Sequence, residues 1–412
     1  MINDRRKRFG AYLARLRRDT RKSQQQLAEI LCRISGVASL TRNEISRWER
    51  GERVPDVWLP ALAQALSVPI DDLECAAAHA RGDDAALEGR SPAEAIAFFL
   101  PAKADQLAAP TRATGRRVGT MEAANLVSRA HSLRLADDVI PGGDLLDPAM
   151  RELDKAVLLY RRTSHTEDVG RTLLGGIGEL AQIAGWIASD AGQHHQAERA
   201  YTLGISAARA AGDSTLVGNL AGSLAYQQSN TGRETEAVSL AQAALEEAGT
   251  DAPAKVRALY LDRIAWAQAK TGDAQAAMRS LAEAHQALTA EDTRPAPSWA
   301  YWVSSEELDV MDARVYTELR KPLRAVPLLQ EVLSRYDTTH TRELALYLSW
   351  LAVALIDANE PEEAAQTAHR MLELTRDFAS ERTSERARLV LTKLEPYRDL
   401  PEVRHVLDIH AA

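Results

Sequence analysis

Ser23-Gln24-Gln25-Gln26-Leu27-Ala28-Glu29 and, further on, Thr41-Arg42-Asn43-Glu44-Ile45-Ser46-Arg47-Trp48-Glu49-Arg50-Gly51 are the stretches that decide the fold of the chain's first part. Each opens as a helix does. Ser23 to Gln26 spells S-x-x-Q and Thr41 to Glu44 spells T-x-x-E, the boxes in which the cap and the third helical side chain bond each other's backbone. Behind the first box, Leu27, Ile30 and Leu31 recur at helical spacing; behind the second come Ile45 and Trp48, with stops at Gly36 and Gly51. Upstream, Arg5–Thr20 sets Phe9, Tyr12, Leu13 and Leu16 on one helix face and arginines on the other. Downstream, Leu59–Leu66 predicts a fourth helix. A fifth starts at Asp71, with acidic Asp72 and Glu74 where the helix dipole favours them.

These motifs resemble the Cro/lambda-repressor (XRE) helix-turn-helix, and Leu62-Ala63-Gln64-Ala65-Leu66-Ser67-Val68 with Asp71-Asp72-Leu73 resembles its two closing helices. The likeness covers about the first 80 residues. There is one departure: Gln24 to Ile45 is 21 positions where the family has 14, so seven extra residues fall in Cys32–Leu40, and Cys32 replaces the usual turn glycine. A longer second helix and a longer loop are expected. The resemblance implies double-stranded DNA as partner, with the recognition helix in the major groove, its N-terminal residues at the base edges. Arg42, Asn43 and Arg47 are then the base readers, since Arg suits guanine O6/N7 and Asn suits adenine N6/N7. Gln24, Arg50 and Arg53 are placed to reach phosphate. Glu44 is expected to bond the backbone at Thr41 rather than a base.

Charge agrees with a basic head. Residues 1–70 hold 14 Lys/Arg against 7 Asp/Glu, a net +7, and the whole chain carries −8, which leaves −15 for the other residues. A basic head on an acidic body fits a polyanion for the head and something else for the body. With 412 residues, 45% apolar and 26% charged, the chain is expected to fold as more than one domain. Two cysteines and no leader or membrane-length apolar run point to a cytoplasmic protein with free thiols.

After a polar linker over 81–120, in which a short helix can run from Ala93 to Leu107, the chain repeats itself. Turns at Gly192, Gly232 and Gly272 are 40 residues apart, with weaker equivalents at Arg320 and Asn359. Five residues after each stands an alanine (Ala197, Ala237, Ala277, Ala325, Ala364). Seven before each stands a small residue (Gly185, Ala225, Ala265, Ala313, Ala352). Small residues at those places let antiparallel helices approach closely, and the pattern resembles the tetratricopeptide repeat. The fold expected is all-α: a five-helix helix-turn-helix domain over 1–80, then an α-solenoid of such hairpins over 121–412. An earlier, degenerate repeat is read over Met121–Arg162 with Pro148 in the first turn of its second helix. Gly142-Gly143 is read as a turn, and Glu385–His410 as a cap.

The position after each small residue faces the concave side of a solenoid of this kind. It holds Trp186, Tyr226, Trp266 and Arg314, and neighbouring positions add Gln182, Asn219, Ser223, Asn230, Asp262, Arg263 and Trp350. Rings with amides and charges suit a peptide or an amphipathic small molecule, although rings in solenoids also serve as core. Head and array together resemble the peptide-sensing regulators of the RRNPP type and the multi-repeat XRE regulators of development and antibiotic production in high-GC bacteria. That resemblance implies a homodimer on a two-fold operator whose DNA affinity answers to a signal. The other reading is a scaffold whose repeats grip a protein. No catalytic residue, metal site or cofactor is expected: His194-His195 lack partners at metal spacing, and Gly175-Gly176-Ile177-Gly178 lacks the Lys-Ser/Thr of a phosphate loop.

Overall fold

A computed structural model of the chain describes residues 2–82, except 21, 38, 39, 67 and 69, and residues 117–410, except 138, 139, 141, 291, 293, 336–340 and 376–380. Most of the linker, including the helix read over Ala93–Leu107, lies outside the described residues. Those described form helices, turns and one isolated bridge between Arg117 and Ser164, so the chain is all-α. They divide into two compact units, within Met1–Asp105 and Gln106–Ala412.

The first unit has helices α1 (Ile2–Asp19), α2 (Gln24–Ser35), α3 (Arg42–Glu49), α4 (Leu59–Leu66) and α5 (Ile70–Arg81). The Ser23 box forms as expected: the Gln26 amide donates to Ser23 Oγ at 3.1 Å, and the Ser23 amide donates to Gln26 Oε1 at 2.8 Å. Gly36 closes α2 in the left-handed region at φ 72°, so the seven extra residues are divided between a twelve-residue helix and a loop. The Thr41 box does not form. Thr41 is the cap residue but makes no side-chain cap bond, and Glu44 turns to Arg47 at 3.1 Å rather than back to the Thr41 amide. Phe9, Leu31, Ile45, Leu62 and Leu73 are wholly buried between the five helices. Burying aliphatic and aromatic side chains of this size contributes about 2 kcal/mol each.

The second unit is a series of packed helical hairpins: α6 (Thr120–Asp137), α7 (Gly142–Arg162), α8 (Glu167–Asp190), α9 (His194–Ala211), α10 (Ser214–Asn230), α11 (Glu234–Ala248), α12 (Ala254–Lys270), α13 (Ala274–Thr289), α14 (Ser305–Glu318), α15 (Pro322–Arg335), α16 (Thr341–Asp357), α17 (Pro361–Thr375), α18 (Glu381–Leu394) and α19 (Pro401–His410). The repeat read from sequence has a backbone cause. All five turn residues, Gly192, Gly232, Gly272, Arg320 and Asn359, have positive φ, between 52° and 81°. Glycine adopts that region without a steric cost and asparagine at little, whereas at Arg320 it costs on the order of 1 kcal/mol. The alanines five residues on are all at 0% exposure. Before the turns, a Cβ at Gly185 would lie 2.6 Å from the buried Tyr201 ring, which is why that position is small.

Two readings of this unit need correction. Gly142-Gly143 are the first turn of α7, where amides need no partner within the helix and Asp144 meets the dipole. Pro148 therefore lies inside α7, not at its start. Just before the segment read as a cap, Arg382 of α18 reaches back to the far earlier α8 and α10. Among the described residues, no helix is long and apolar enough to cross a membrane.

Candidate ligand groove and DNA interface

The inner helices of the hairpins bring the expected rings into one row. Trp186 of α8 stacks on Tyr226 of α10 with centroids 5.6 Å apart, Tyr226 meets Trp266 of α12 at 6.2 Å, and Trp266 meets the edge of Trp350 of α16 at 5.6 Å. Arginines interleave them. Arg263 lies 4.3 Å from the Tyr226 centroid and 5.4 Å from that of Trp186. Arg314 lies 4.9 Å from Trp266 and 5.5 Å from Trp350. Tyr226, Trp266 and Trp350 are each under 9% exposed, so the rings are core wall as well as groove lining.

Two cationic residues escaped the sequence reading. Arg386 of α18 sits 3.6 Å over Trp350, and its guanidinium donates to Ser349 Oγ and to the Ser349 carbonyl. Arg382, one turn earlier, donates to the Tyr226 hydroxyl at 3.2 Å and pairs with Asp190 at 3.6 Å. Arg314 donates to the same hydroxyl. Burial alone pushes the Tyr226 phenol upward, but Arg314, Arg382 and Arg263 outweigh it and bring the group to about 7. Burial also raises Asp262 to about 6, against the pull of Arg263 and Arg314.

Two cavities open beside this row, of about 470 Å³ and about 510 Å³. They share a wall of Trp186, Arg314, Leu346 and Arg382. The first takes Tyr226, Asn230, Trp266 and Trp350; the second takes Gln182, Asn219, Ser223 and Arg263. Asp262 lines neither, being 2% exposed behind the wall, so its place in the groove is corrected to the core. Gln182 donates to Ser223 Oγ at 3.3 Å, and the Asn230 carbonyl oxygen accepts from the Trp266 indole at 3.3 Å. Asn219 lines the second cavity at 6% exposure with no hydrogen bond to a described residue.

In the first unit, α3 presents Arg42 and Asn43 in its first turn. Both are exposed, and neither makes a side-chain hydrogen bond or ion pair to a described residue; the same holds for Arg53, beyond the helix. Arg47 is exposed but engaged, pairing with Glu44 at 3.1 Å and with Glu52 at 3.2 Å. Arg50 reaches Glu52 at 2.8 Å and Ser46 Oγ at 3.3 Å. Gln24 opens α2, and its amide donates to Glu49 Oε2 at 2.7 Å, which leaves one amide hydrogen for any other acceptor. Residues 8–75 match the family model of a helix-turn-helix domain.

The head is a helix-turn-helix domain. This supports a DNA-binding regulator in general terms; no curated protein matches the chain. The helix-turn-helix domain is held by Glu49, at the end of α3. Arg17 of α1 grips both its carboxylate oxygens, at 2.6 and 3.0 Å, and Gln24 of α2 adds a third bond. Three helices thus converge on one carboxylate whose side chain is 8% exposed. Glu49→Ala strands a largely buried guanidinium, and is expected to destabilise the domain by about 2 kcal/mol. Urea unfolding with amide exchange in α3 measures this; Glu49→Gln, which keeps acceptors, should lose less.

Proposed function

We propose that this chain is a sequence-specific transcriptional regulator that binds DNA as a homodimer through its helix-turn-helix domain and senses a peptide or small molecule with its helical hairpins. The observation that carries this reading is α3, whose Arg42 and Asn43 stand exposed and unpaired among the described residues, where base-edge contacts are made. Arg47 can join them by exchanging Glu44 and Glu52 for a guanine edge, while Arg50, Arg53 and Gln24 hold phosphate. A two-fold operator follows from a symmetric dimer with half-sites about one DNA turn apart. The two cavities favour a signal over a protein partner: each falls within the roughly 300–1,000 Å³ of small-ligand sites, and α18 lies across the groove that a long protein segment would need. Catalysis forms no part of this reading.

Selection from random duplex DNA tests it. An inverted repeat is expected to enrich. Arg42→Ala and Asn43→Ala should each weaken binding by about 1–3 kcal/mol and relax preference at one base pair per half-site. Arg53→Ala should weaken all sequences alike and lower the salt slope by about one. Binding without any consensus, steeply salt-dependent, would mean that the domain grips phosphate only, and the scaffold reading would replace this one.

A further inference from the structure

Four arginines of the groove, Arg263, Arg314, Arg382 and Arg386, are poorly supplied with direct ion-pair partners. Arg263 is 6% exposed, yet it makes no hydrogen bond and no ion pair to any described residue; its contacts are the faces of Tyr226 and Trp186. Arg314, 8% exposed, has the Tyr226 hydroxyl as its hydrogen-bond partner, and its Nε is buried with none. Among the described residues Arg386 hydrogen-bonds only to Ser349, and of these four arginines only Arg382 reaches a carboxylate, Asp190 at 3.6 Å; Arg134 and Arg335, which also line the second cavity, are paired with Glu179 and Glu331. A guanidinium taken out of water without an anion is costly, and a ring face offsets part of that cost. Acids are near: Asp137, Glu306, Glu307 and Glu343 line the same cavity and Asp262 lies behind it, but among the described residues none comes within ion-pair distance of Arg263 or Arg314.

Resting on the sensing reading above, we infer that the groove takes an organic anion: its acidic group bridges Arg263 and Arg314 beside the Tyr226 hydroxyl, and its apolar body lies in the second cavity. The chemistry fits on both counts. Arg263 lies over the Tyr226 ring and Arg314 and Arg382 reach its hydroxyl, so guanidinium groups gather around one side chain, and guanidinium forks match the oxygens of a carboxylate or a phosphate, with desolvation making each bond strong. The remaining lining is apolar and amide: Trp299, Trp302 and Met311 offer surface, and the free amide of Asn219 offers a donor and an acceptor for a peptide-like group. The acid can come from a peptide C-terminus, a small carboxylic acid or a phosphate ester.

The test uses the full chain and charged and neutral twins at fixed ionic strength, read by calorimetry. The pairs are indole-3-acetate with indole-3-acetamide, phenyl phosphate with phenol, and the tripeptide Ala-Leu-Phe as free acid with its C-terminal amide. The charged member of at least one pair is expected to bind tenfold or more tightly than its twin, and the winning pair identifies the source of the acid. At pH 6, where Tyr226 is protonated and offers no phenolate, Arg263→Gln and Arg314→Gln should erase that preference without lowering the melting temperature of the ligand-free protein, since each then removes a buried charge with no ion-pair partner among the described residues. Equal binding of every pair by the unsubstituted chain, or a preference that survives both substitutions, overturns the inference. Its failure is separable from that of sensing. A neutral compound that enters the groove and shifts affinity for the selected DNA retains sensing and removes the anion site. Anion preference with unchanged DNA affinity retains the site and removes sensing.

Discussion

Gly10→Ala is expected to unfold the helix-turn-helix domain and abolish DNA binding, while the hairpin unit stays folded. A Cβ on Gly10 would stand 2.4 Å from the Trp48 carbonyl oxygen, 2.6 Å from that of Glu49 and 2.7 Å from the Gly51 amide nitrogen. All three are backbone atoms at the C-terminal end of α3, so no side chain can swing aside. Gly51 returns the contact: its own Cβ would meet the Lys7 nitrogen at 2.4 Å, and its φ of 73° already excludes most residues. Helix α1 therefore touches the end of α3 backbone to backbone. Forcing a methyl between them separates α1 from α3, exposes Phe9 and Trp48, and breaks the Arg17–Glu49 contact, a combined loss of about 3 kcal/mol or more. Small domains hold only about 5–15 kcal/mol in total. Amide exchange across α1–α5, measured beside that of α8–α14, is the direct check. Unchanged protection in the first unit would show that α1 can shift by an ångström without loss.

Much of this was readable from residues alone, and the failures share a physical cause. The Ser23 box, the Gly36 stop and the buried Ile45 and Trp48 are local: cap chemistry and helical period act over a few residues. The array was readable because one backbone requirement recurs, a left-handed turn followed by a buried alanine. Position within the repeat also placed Trp186, Tyr226, Trp266 and Arg314 on one surface. The Thr41 box failed, and its glutamate turns to a nearby cation instead. Arg382 and Arg386 were missed because nothing local marks them: Arg382 meets Tyr226 across 156 residues, after the array has curved back on itself. Their spacing of four on α18, beyond the last small-residue match at Ala364, was the one signal available. Asp262 shows the limit of frame arguments, since one position along a helix turns a side chain through about 100° and from groove to core.

Tyr226 is expected to ionise near pH 7, about a thousandfold more readily than an ordinary tyrosine. Its surroundings explain the direction. Burial opposes the phenolate, but Arg314 and Arg382 donate to its oxygen, and Arg263 lies over its ring. The other titratable groups whose charge it feels or perturbs are Arg386 on α18 and the buried phenol of Tyr201 on α9, which is itself driven upward by desolvation. Ultraviolet difference absorbance should thus show one tyrosinate of the ten appearing around neutrality. Tyr226→Phe should remove that step; Arg314→Gln should move it upward. Folding is linked to the same proton. A pKa lowered on folding contributes stability that is complete above the unfolded value near 10 and is lost as pH falls through about 7. Glu307 and Asp262 act oppositely: their raised values, about 7 and about 6, contribute stability that is complete below the ordinary carboxylate range and is lost as pH rises through them. The phenolate also competes with any acid that enters the groove, since both seek the same guanidinium groups. Binding of an anion should therefore weaken as pH rises through 7, and a bound anion should push the Tyr226 midpoint upward by the same linkage. A tyrosinate step indifferent to a saturating anion would place the acidic group elsewhere in the groove.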